Sequence, residues 1–180
     1  MDKKCTRKYI FNTTPSIIVT VNKIIIEGPD CSGKSTLVDR IKNVLRWDAK
    51  SLHHVEGDQF NRYLSEYVSA NNTVLDRSHF SEIVYSDLWG RSRPFTKEEG
   101  RLLDFASQRN SVIIFACPTL EIMESRYKKR QFNQQIKFEE LEKSRNLFID
   151  TLNGIKKLAY FSRDFEELDN LVFKVKEMIK

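Results

Sequence analysis

The chain has 180 residues with a formal net charge of +5, and 40% of its residues are hydrophobic. This is the composition of a globular protein, and a chain of this length buries about 70% of the surface that it exposes when unfolded. No segment has the length of a membrane span or the apolar core of a signal peptide, so we expect a cytoplasmic protein without a membrane partner. Three widely spaced cysteines fit reduced thiols.

The basic residues lie among acidic residues along the predicted helices. Such mixing favours general attraction for anionic ligands over a dedicated nucleic-acid surface. We therefore expect small anionic partners and no nucleic acid.

Residues 1–22 are predicted to be an N-terminal extension, and residues 23–180 a single domain. Within the extension, residues 16–21 are β-prone and predict an edge strand or hairpin, with Asn22 and Lys23 as the turn. No chemistry is visible in this segment.

Residues 24–36 have the sequence IIIEGPDCSGKST, in which three isoleucines predict a buried strand. Gly28, Gly33, Lys34 and Ser35 fit the phosphate-loop pattern G-x-x-x-x-G-K-[ST]. The glycines allow backbone N–H groups to converge on phosphate oxygens where a helix begins. The lysine adds positive charge for the β- and γ-phosphates, and the serine hydroxyl is a candidate ligand of Mg²⁺. This stretch predicts a site for a nucleoside triphosphate with Mg²⁺ as cofactor.

Helical and strand patterns alternate along the rest of the chain. Helical periodicity predicts helices over residues 35–47, 59–70, 118–130, 138–152 and 164–180, and a capping box of Thr96 and Glu99 begins another. Short apolar runs predict strands over residues 51–55, 73–75, 112–116 and 158–161. This alternation predicts an α/β fold with a five-stranded parallel sheet flanked by helices on both faces. Ligands of such sheets bind at the carboxyl ends of the strands.

Asp76 and Arg77 follow one of these predicted strands directly. A carboxylate at this edge can hold Mg²⁺ through water, and the planar fork of an arginine binds two phosphate oxygens. If residues 79–88 are helical, Ser81, Glu82 and Tyr85 share one face of the helix. These residues predict a second site beside the phosphate loop.

GPDCSGKST and DRSHFSEIVYS together resemble the thymidylate kinase family, whose patterns are G-x-D-x-x-G-K-[ST]-T and D-R-[YH]-x-x-S-x-x-A-Y, and Glu27 resembles its F-E-G lead-in. The resemblance covers residues 24–180 and is strongest to compact phage- or virus-type members. It implies the three-layer fold of P-loop NTPases of the nucleoside monophosphate kinase type, with a helical lid at about residues 126–140. It also implies ATP-dependent phosphoryl transfer to a deoxynucleoside monophosphate, dTMP or a related pyrimidine nucleotide. The same resemblance implies a homodimer.

The resemblance gives roles to the matched positions. It implies that Asp30 accepts a hydrogen bond from the 3′-OH of the acceptor, that Arg77 holds its 5′-phosphate and that Asp76 acts on Mg²⁺. Ser81 and Glu82 would face the base, and Tyr85 would lie beneath C2′ and exclude a ribose hydroxyl. A carboxylate at position 82 departs from the family's usual polar residue and leaves the base open. The residues implied to bind the ATP phosphates are Gly28, Pro29, Asp30, Cys31, Ser32, Gly33, Lys34, Ser35 and Thr36.

Arg126 and Arg130 lie one helical turn apart and resemble the arginines of the family's lid, which neutralise charge on the transferred phosphoryl group. Family members without an arginine in the phosphate loop supply it from the lid, and Cys31 occupies that loop position here. The alternative is a solvated basic helix end. The implied catalytic residues are Lys34, Asp76, Arg77, Arg126 and Arg130.

The family's Arg-Glu-Pro stretch is absent, and residues 53–58 stand in its place. His53 and His54 are predicted to be strand residues rather than ligands. Phe60, Arg62 and Tyr63 are candidates for base stacking and hydrogen bonding, with core or surface placement as the alternative.

Two other functions remain open. A deoxynucleoside kinase carries a similar [ED]-R-S motif, which Ser78 matches, and there Glu56 or Asp58 would deprotonate a nucleoside 5′-OH. Asp30 favours the monophosphate kinase, because the loop of deoxynucleoside kinases usually lacks that carboxylate. The third possibility is a P-loop kinase that acts on bases in DNA, for which steeply salt-dependent DNA binding would be evidence.

Overall fold

The computed structural model describes residues 20–130, 136–162 and 164–179. Within them, parallel strands form one sheet in the order β2-β3-β1-β4-β5. The strands are β1 (Lys23–Glu27), β2 (Asp48–Ser51), β3 (Thr73–Asp76), β4 (Ser111–Ala116) and β5 (Leu158–Tyr160). The central β1 is buried over its whole length, as its run of isoleucines predicts.

Helices connect the strands and cover both faces of the sheet. They are α1 (Lys34–Leu45), α2 (Gln59–Ser69), α3 (His79–Leu88), α4 (Lys97–Gln108), α5 (Leu120–Lys129), α6 (Leu141–Thr151) and α7 (Phe165–Ile179), with a 3₁₀ turn at Phe138–Glu140. Within the described ranges, no helix is both long and apolar enough to cross a bilayer.

Alternation along the strands divides the core into two layers, because successive side chains of a strand point to opposite faces. Ile25 belongs to a cluster with side chains of α2, α3 and α6, including Tyr63, Phe80 and Phe148. Ile24 and Ile26 belong to the opposite cluster, with side chains of α1 and α7 such as Leu37 and Val175. The two layers hold the sheet between them, so its carboxyl edge is a fixed platform.

The predicted P-loop NTPase fold with a parallel five-stranded sheet is confirmed, and most predicted elements lie within a few residues of the observed ones. The Thr96 and Glu99 capping box is present, and Asp164 caps α7 by accepting a hydrogen bond from the Glu167 N–H over 2.8 Å. Residues 138–152 are not a single α-helix, since they begin with a 3₁₀ turn.

Two predictions about strands are wrong. The second strand is Asp48–Ser51 instead of residues 51–55, so His53 and His54 lie outside it. Lys23 opens β1 and is not part of a turn. Of the predicted edge strand at residues 16–21, only Thr20 and Val21 lie within the described residues, and they are not in a strand.

The strand order creates a crevice beside β1. The chain passes from β1 to β2 and β3 on one side and then crosses to β4 on the other. Ligands of open α/β sheets bind where connections leave in opposite directions, outside the carboxyl ends of the strands. The loops after β1 and β3 carry both predicted sites, and this topology brings them to the same edge.

Candidate active site

The loop between β1 and α1 passes very close to β4. Gly28 has φ +148°, and a Cβ at that position would overlap the carbonyl oxygen of Ala116. Gly33 has φ +89° and is the N-cap of α1, so the helix begins directly at Lys34. Glycine is the residue that permits both conditions, a left-handed backbone and a close approach. The loop therefore ends at a helix N-terminus, where backbone N–H groups and the helix dipole favour an anion.

Lys34 is buried, and its Nζ donates a hydrogen bond to the Pro29 carbonyl oxygen over 3.0 Å. Burial, with repulsion from Arg77, lowers the pKa of Lys34 to about 8. Ser35 and Thr36, the next two residues of α1, are exposed. The Lys34 side chain thus lies against the phosphate loop that precedes it, while Ser35 is exposed to solvent.

Two oxygen ligands suited to Mg²⁺ stand at the crevice. Asp76 ends β3, and its Oδ1 is buried with no hydrogen-bond partner among the described residues. Ser35 offers an exposed hydroxyl at the start of α1, and Mg²⁺ prefers such hard oxygen ligands. The orphaned carboxylate oxygen fits a cation or its water shell, since a buried acceptor without a partner is costly.

Asp30, Arg77 and Tyr85 form one hydrogen-bonded group. The Nη2 of Arg77 donates to Asp30 Oδ1 over 2.9 Å, and the Tyr85 hydroxyl donates to Asp30 Oδ2 over 3.3 Å. The guanidinium carbon lies 5.0 Å from the centre of the Tyr85 ring, in cation–π geometry. Arg77 has a left-handed backbone with φ 74°, and its N–H donates to the Ile26 carbonyl oxygen. Such strain in a non-glycine residue is typical of functional sites.

Glu27 fixes the helix that carries this group. It is fully buried, accepts hydrogen bonds from the Ser78 and Ser81 hydroxyls over 2.5 and 2.7 Å, and its pKa is raised by burial. Ser78 is the N-cap of α3, accepting from the Phe80 N–H. Sequence reasoning treated Glu27 only as a motif residue, although a carboxylate at the end of an isoleucine strand was a signal. The hydroxyl of Ser81, predicted to face the base, turns instead towards Glu27.

Arg126 joins α5 to the phosphate loop. Its Nη1 donates to the Cys31 carbonyl oxygen over 3.2 Å, and its Nη2 donates to the carbonyl oxygen and hydroxyl of Ser162 over 2.9 and 2.8 Å. A Cβ on Gly33 would lie 3.0 Å from the same guanidinium. Arg130 follows the helix as an exposed C-cap residue. Residues 131–135 of the predicted lid lie outside the described residues.

A cleft of about 510 Å³ opens between α3 and the segment that follows β2. Its lining includes His54, Val55, Glu56, Glu82, Ser86 and Arg91. Glu82 is buried, with Oε2 3.0 Å from His54 Nδ1 and Oε1 accepting from the Tyr63 hydroxyl over 3.4 Å. His54 was predicted to be a strand residue, and its contact with Glu82 was not foreseen.

The aromatic candidates for base stacking lie largely in the core. Tyr63 is fully buried and stacks on Tyr67, so its ring has no face open to a base. Phe60 is half-buried against the same cluster and is not among the residues that line the cleft. Arg62 donates to the Gln59 side chain over 3.1 Å. Helical periodicity could not separate these positions from the core, because α2 buries one stripe of its surface.

No protein-family model and no curated protein matches the chain. Several solved structures, in contrast, are similar to this chain in fold. The YorR protein from Bacillus subtilis, in complex with phosphorylated GDP, is 18% identical over 86% of this chain and 95% of its own, with a TM-score of 0.72. A deoxyadenosine kinase from M. mycoides with bound dATP is 17% identical over 86% of this chain and 99% of its own (TM-score 0.53). A shikimate kinase from Acinetobacter baumannii in complex with shikimate is 14% identical over 90% of this chain and 94% of its own, with a TM-score of 0.54.

The chain has the fold of the P-loop kinases. At these sequence identities the similarity establishes the fold alone. It does not single out the thymidylate kinases among the P-loop kinases. What distinguishes one P-loop kinase from another is the acceptor side of the crevice, because the phosphate loop is common to all of them.

The two carboxylates considered as a general base have different surroundings. Asp58 is the N-cap of α2, where it accepts from the Asn61 backbone N–H over 3.0 Å and from its side chain over 2.6 Å. These hydrogen bonds lower the pKa of Asp58. Glu56 is exposed and lines the cleft. In this P-loop kinase fold, Asp58 is occupied as a helix cap, and Glu56 is the better placed of the two.

Proposed function

We propose that this chain is a kinase of deoxynucleoside monophosphates that uses Mg²⁺ and ATP. The observation that carries the proposal is the pairing of Asp30 with Arg77 beside the phosphate loop. A guanidinium at this point suits an acceptor that already bears a phosphate, and the adjacent carboxylate suits a sugar hydroxyl. A nucleoside with a neutral 5′-OH has no phosphate oxygens of its own for the fork of the arginine to bind.

Arg77 keeps capacity for the acceptor phosphate. A guanidinium has five N–H donors. In the described residues Nη2 bonds to Asp30, Nη1 lies 3.4 Å from the Ser81 hydroxyl, and the Tyr85 side chain takes a further hydrogen bond. The remaining donors can take two phosphate oxygens. Asp30 and Tyr85 then stand on the sugar side of that phosphate, which supports the roles implied by the resemblance.

The donor side is assigned to the loop from Gly28 to Thr36, with Lys34 on the β- and γ-phosphates. Ser35 and Asp76 would hold Mg²⁺ directly or through water, and the ion supplies neutralisation of the phosphate charge when bound. Arg126 reaches the loop already, through the Cys31 carbonyl oxygen. We assign Arg126, with Arg130 beyond it, to the charge that develops on the transferred group.

Catalysis under this proposal consists of positioning and charge neutralisation. The acceptor oxygen belongs to a phosphate that is ionised near neutral pH, so transfer requires no strong general base. The complex of YorR with phosphorylated GDP supports a nucleotide ligand on this fold, whereas the deoxyadenosine kinase is named for a nucleoside acceptor. For the base, the family resemblance implies dTMP or a related pyrimidine nucleotide.

The second candidate is a deoxynucleoside kinase. The observation in its favour is the exposed carboxylate of Glu56 in the cleft, which could take the proton of a 5′-OH. Asp30 counts against it, because the phosphate loop of deoxynucleoside kinases usually lacks that carboxylate, whereas the arginine of the [ED]-R-S motif occurs in both classes.

One assay decides between them. The full chain is incubated with Mg-ATP and, separately, with each deoxynucleoside monophosphate, with deoxynucleosides and with duplex DNA, and products are separated by anion exchange. We expect diphosphates from monophosphates. Phosphorylation of a deoxynucleoside or of DNA with no turnover of any monophosphate would refute the proposal.

A further inference from the structure

The cleft beside α3 lies further along the helix from Ser81, the residue that Arg77 contacts. Ser81 lies next to Arg77, Glu82 is the following residue, and Ser86 is one helical turn further on. Glu82, Ser86 and Arg91 line the cleft, so a nucleotide whose phosphate is held by Arg77 would extend its base along α3 towards them. A cleft of about 510 Å³ has room for a purine.

Glu82 has unused hydrogen-bonding capacity in this cleft. An ionised carboxylate offers about four acceptor sites. Oε1 accepts from Tyr63 and Oε2 from the Nδ1–H of His54, which leaves one acceptor site on each oxygen among the described residues. The side chain is only 5% exposed, so water alone serves it poorly and a ligand with two adjacent donors would complete it.

Guanine is the standard base that presents two adjacent donors, N1–H and the 2-amino group. In thymine, N3–H lies between two carbonyl oxygens. A carboxylate that accepts from N3–H therefore brings its second oxygen close to one of these carbonyl oxygens, and the two acceptors repel each other. In cytosine and adenine the amino group is next to a ring nitrogen that accepts, which produces the same conflict. A carboxylate at position 82 that faced a base would therefore discriminate by repulsion as well as by attraction.

Arg91 complements the opposite edge of a guanine. It lines the same cleft, and its guanidinium carbon lies 4.9 Å from the centre of the Trp89 ring. Arginine pairs with O6 and N7 of guanine through two parallel hydrogen bonds. We infer that the cleft lined by Glu82 and Arg91 selects guanine, so that dGMP is preferred to dTMP as acceptor. The inference rests on the proposed function, and it replaces the pyrimidine that the family resemblance implies.

The first test compares dGMP with dTMP, dCMP and dAMP on the full chain, by kcat/KM with Mg-ATP and by calorimetric titration of each monophosphate without ATP. A two-hydrogen-bond contact to a base corresponds to at least about a tenfold preference for dGMP over each of the others. Equal or tighter binding and turnover of dTMP would overturn the inference while leaving the proposed function intact. Absence of turnover for every monophosphate would refute the proposed function, and the titrations would still rank the bases.

The second test is Glu82→Gln, with Glu66→Gln as the matched control. A glutamine presents one acceptor and one donor, which fits N3–H and O4 of thymine, so the dGMP/dTMP ratio of kcat/KM should fall by at least about tenfold. Glu66 pairs with Lys50 away from the cleft, and its variant should keep the wild-type ratio. A Glu82→Gln protein that loses activity equally on both nucleotides would mean a merely structural side chain and overturn the inference.

Discussion

The guanidinium of Arg77 and the carboxylate of Asp30 are joined by a 2.9 Å hydrogen bond although 47 positions separate them in the chain. One residue belongs to the phosphate loop, and the other follows β3. The bond therefore fixes the distance between the donor and acceptor halves of the proposed site. Replacement of either residue should therefore reduce turnover of the acceptor to a similar extent.

The first prediction concerns that pair. Asp30→Ala and Arg77→Ala should each lower kcat/KM for the acceptor by about 30-fold or more, since truncating one member of a partly buried, hydrogen-bonded charge pair costs about 2 kcal/mol or more. ATP affinity, measured by calorimetry, should change by only a few-fold. Arg93→Ala, which breaks an exposed pair with Asp87, is the control and should keep wild-type kinetics. Equal loss of ATP affinity in the Asp30 and Arg77 variants would mean that the roles are misassigned.

Tyr85 gives a prediction about the sugar. Tyr85→Ala should relax the preference for deoxyribonucleotides over ribonucleotides, because the ring that would crowd a 2′-OH is removed. Tyr85→Phe should retain that preference, since it removes only the hydroxyl that bonds to Asp30. The ring also packs against Trp89 and Phe148, so thermal unfolding must accompany the kinetics. A deoxy/ribo ratio that is unchanged in the alanine variant would contradict the sugar contact.

Lys34 gives a prediction about pH. Burial lowers its pKa to about 8, and a bound polyphosphate favours the charged amine and raises that pKa again. Above pH 8, ATP binding should therefore take up a proton, and ATP affinity should fall as the pH rises further. Calorimetry at pH 8.5 in buffers of different ionisation enthalpy measures the uptake, and Lys34→Gln should abolish it. Binding enthalpies that do not depend on the buffer would rule the mechanism out.

Arg126 gives a prediction about the rate. If it neutralises the transferred group, Arg126→Ala should lower kcat by about 10³-fold, the scale of an arginine that acts on a phosphoryl transition state. Lys129→Ala, three residues further along the same exposed helix end, should have little effect. An unchanged kcat in the Arg126 variant would instead favour a structural role, in which Arg126 links the phosphate loop to Ser162. In that case the variant should have a lower melting temperature.

Gly28 gives a prediction about stability. Gly28→Ala meets both a left-handed backbone and the Ala116 carbonyl, and it should cost at least about 2 kcal/mol of unfolding free energy. Gly154 also has a positive φ, of +83°, but open space around the new methyl group, so Gly154→Ala is expected to cost about 1 kcal/mol. Urea unfolding of the two variants compares these costs. Equal losses of unfolding free energy in the two variants would show that Gly28 does not approach β4 closely.

The fold could be predicted from the sequence where burial left a pattern. The isoleucines of β1 and the apolar run of β4 are buried on both faces, so they are uniform and easily recognised. Strand β2 has the opposite character, since all four of its residues, Asp48–Ser51, are exposed at the edge of the sheet. Its pairing with β3 is made by the backbone, and backbone pairing leaves no side-chain pattern to detect.

The site could be predicted only where residues are local in the chain. Asp30 and the motif after β3 were recognised by short spacings, and the structure brings them together. The contacts of Arg126 with Ser162 and of Glu82 with His54 depend on which loops meet at the carboxyl edge. Spacing along the chain does not contain that information, because it is decided by strand order and loop path.

Helix α3 carries the residues that are proposed to face the base and the sugar, Glu82, Tyr85 and Ser86, while Arg77 precedes the helix and Arg91 follows it. Glu27 anchors its first turn from β1, so the helix is aligned by a residue that lies outside it. Exchange of substrate preference between related kinases could then proceed by replacing a single short cassette. The phosphate loop and the sheet would remain untouched, so this segment is the natural unit for changing the proposed acceptor preference.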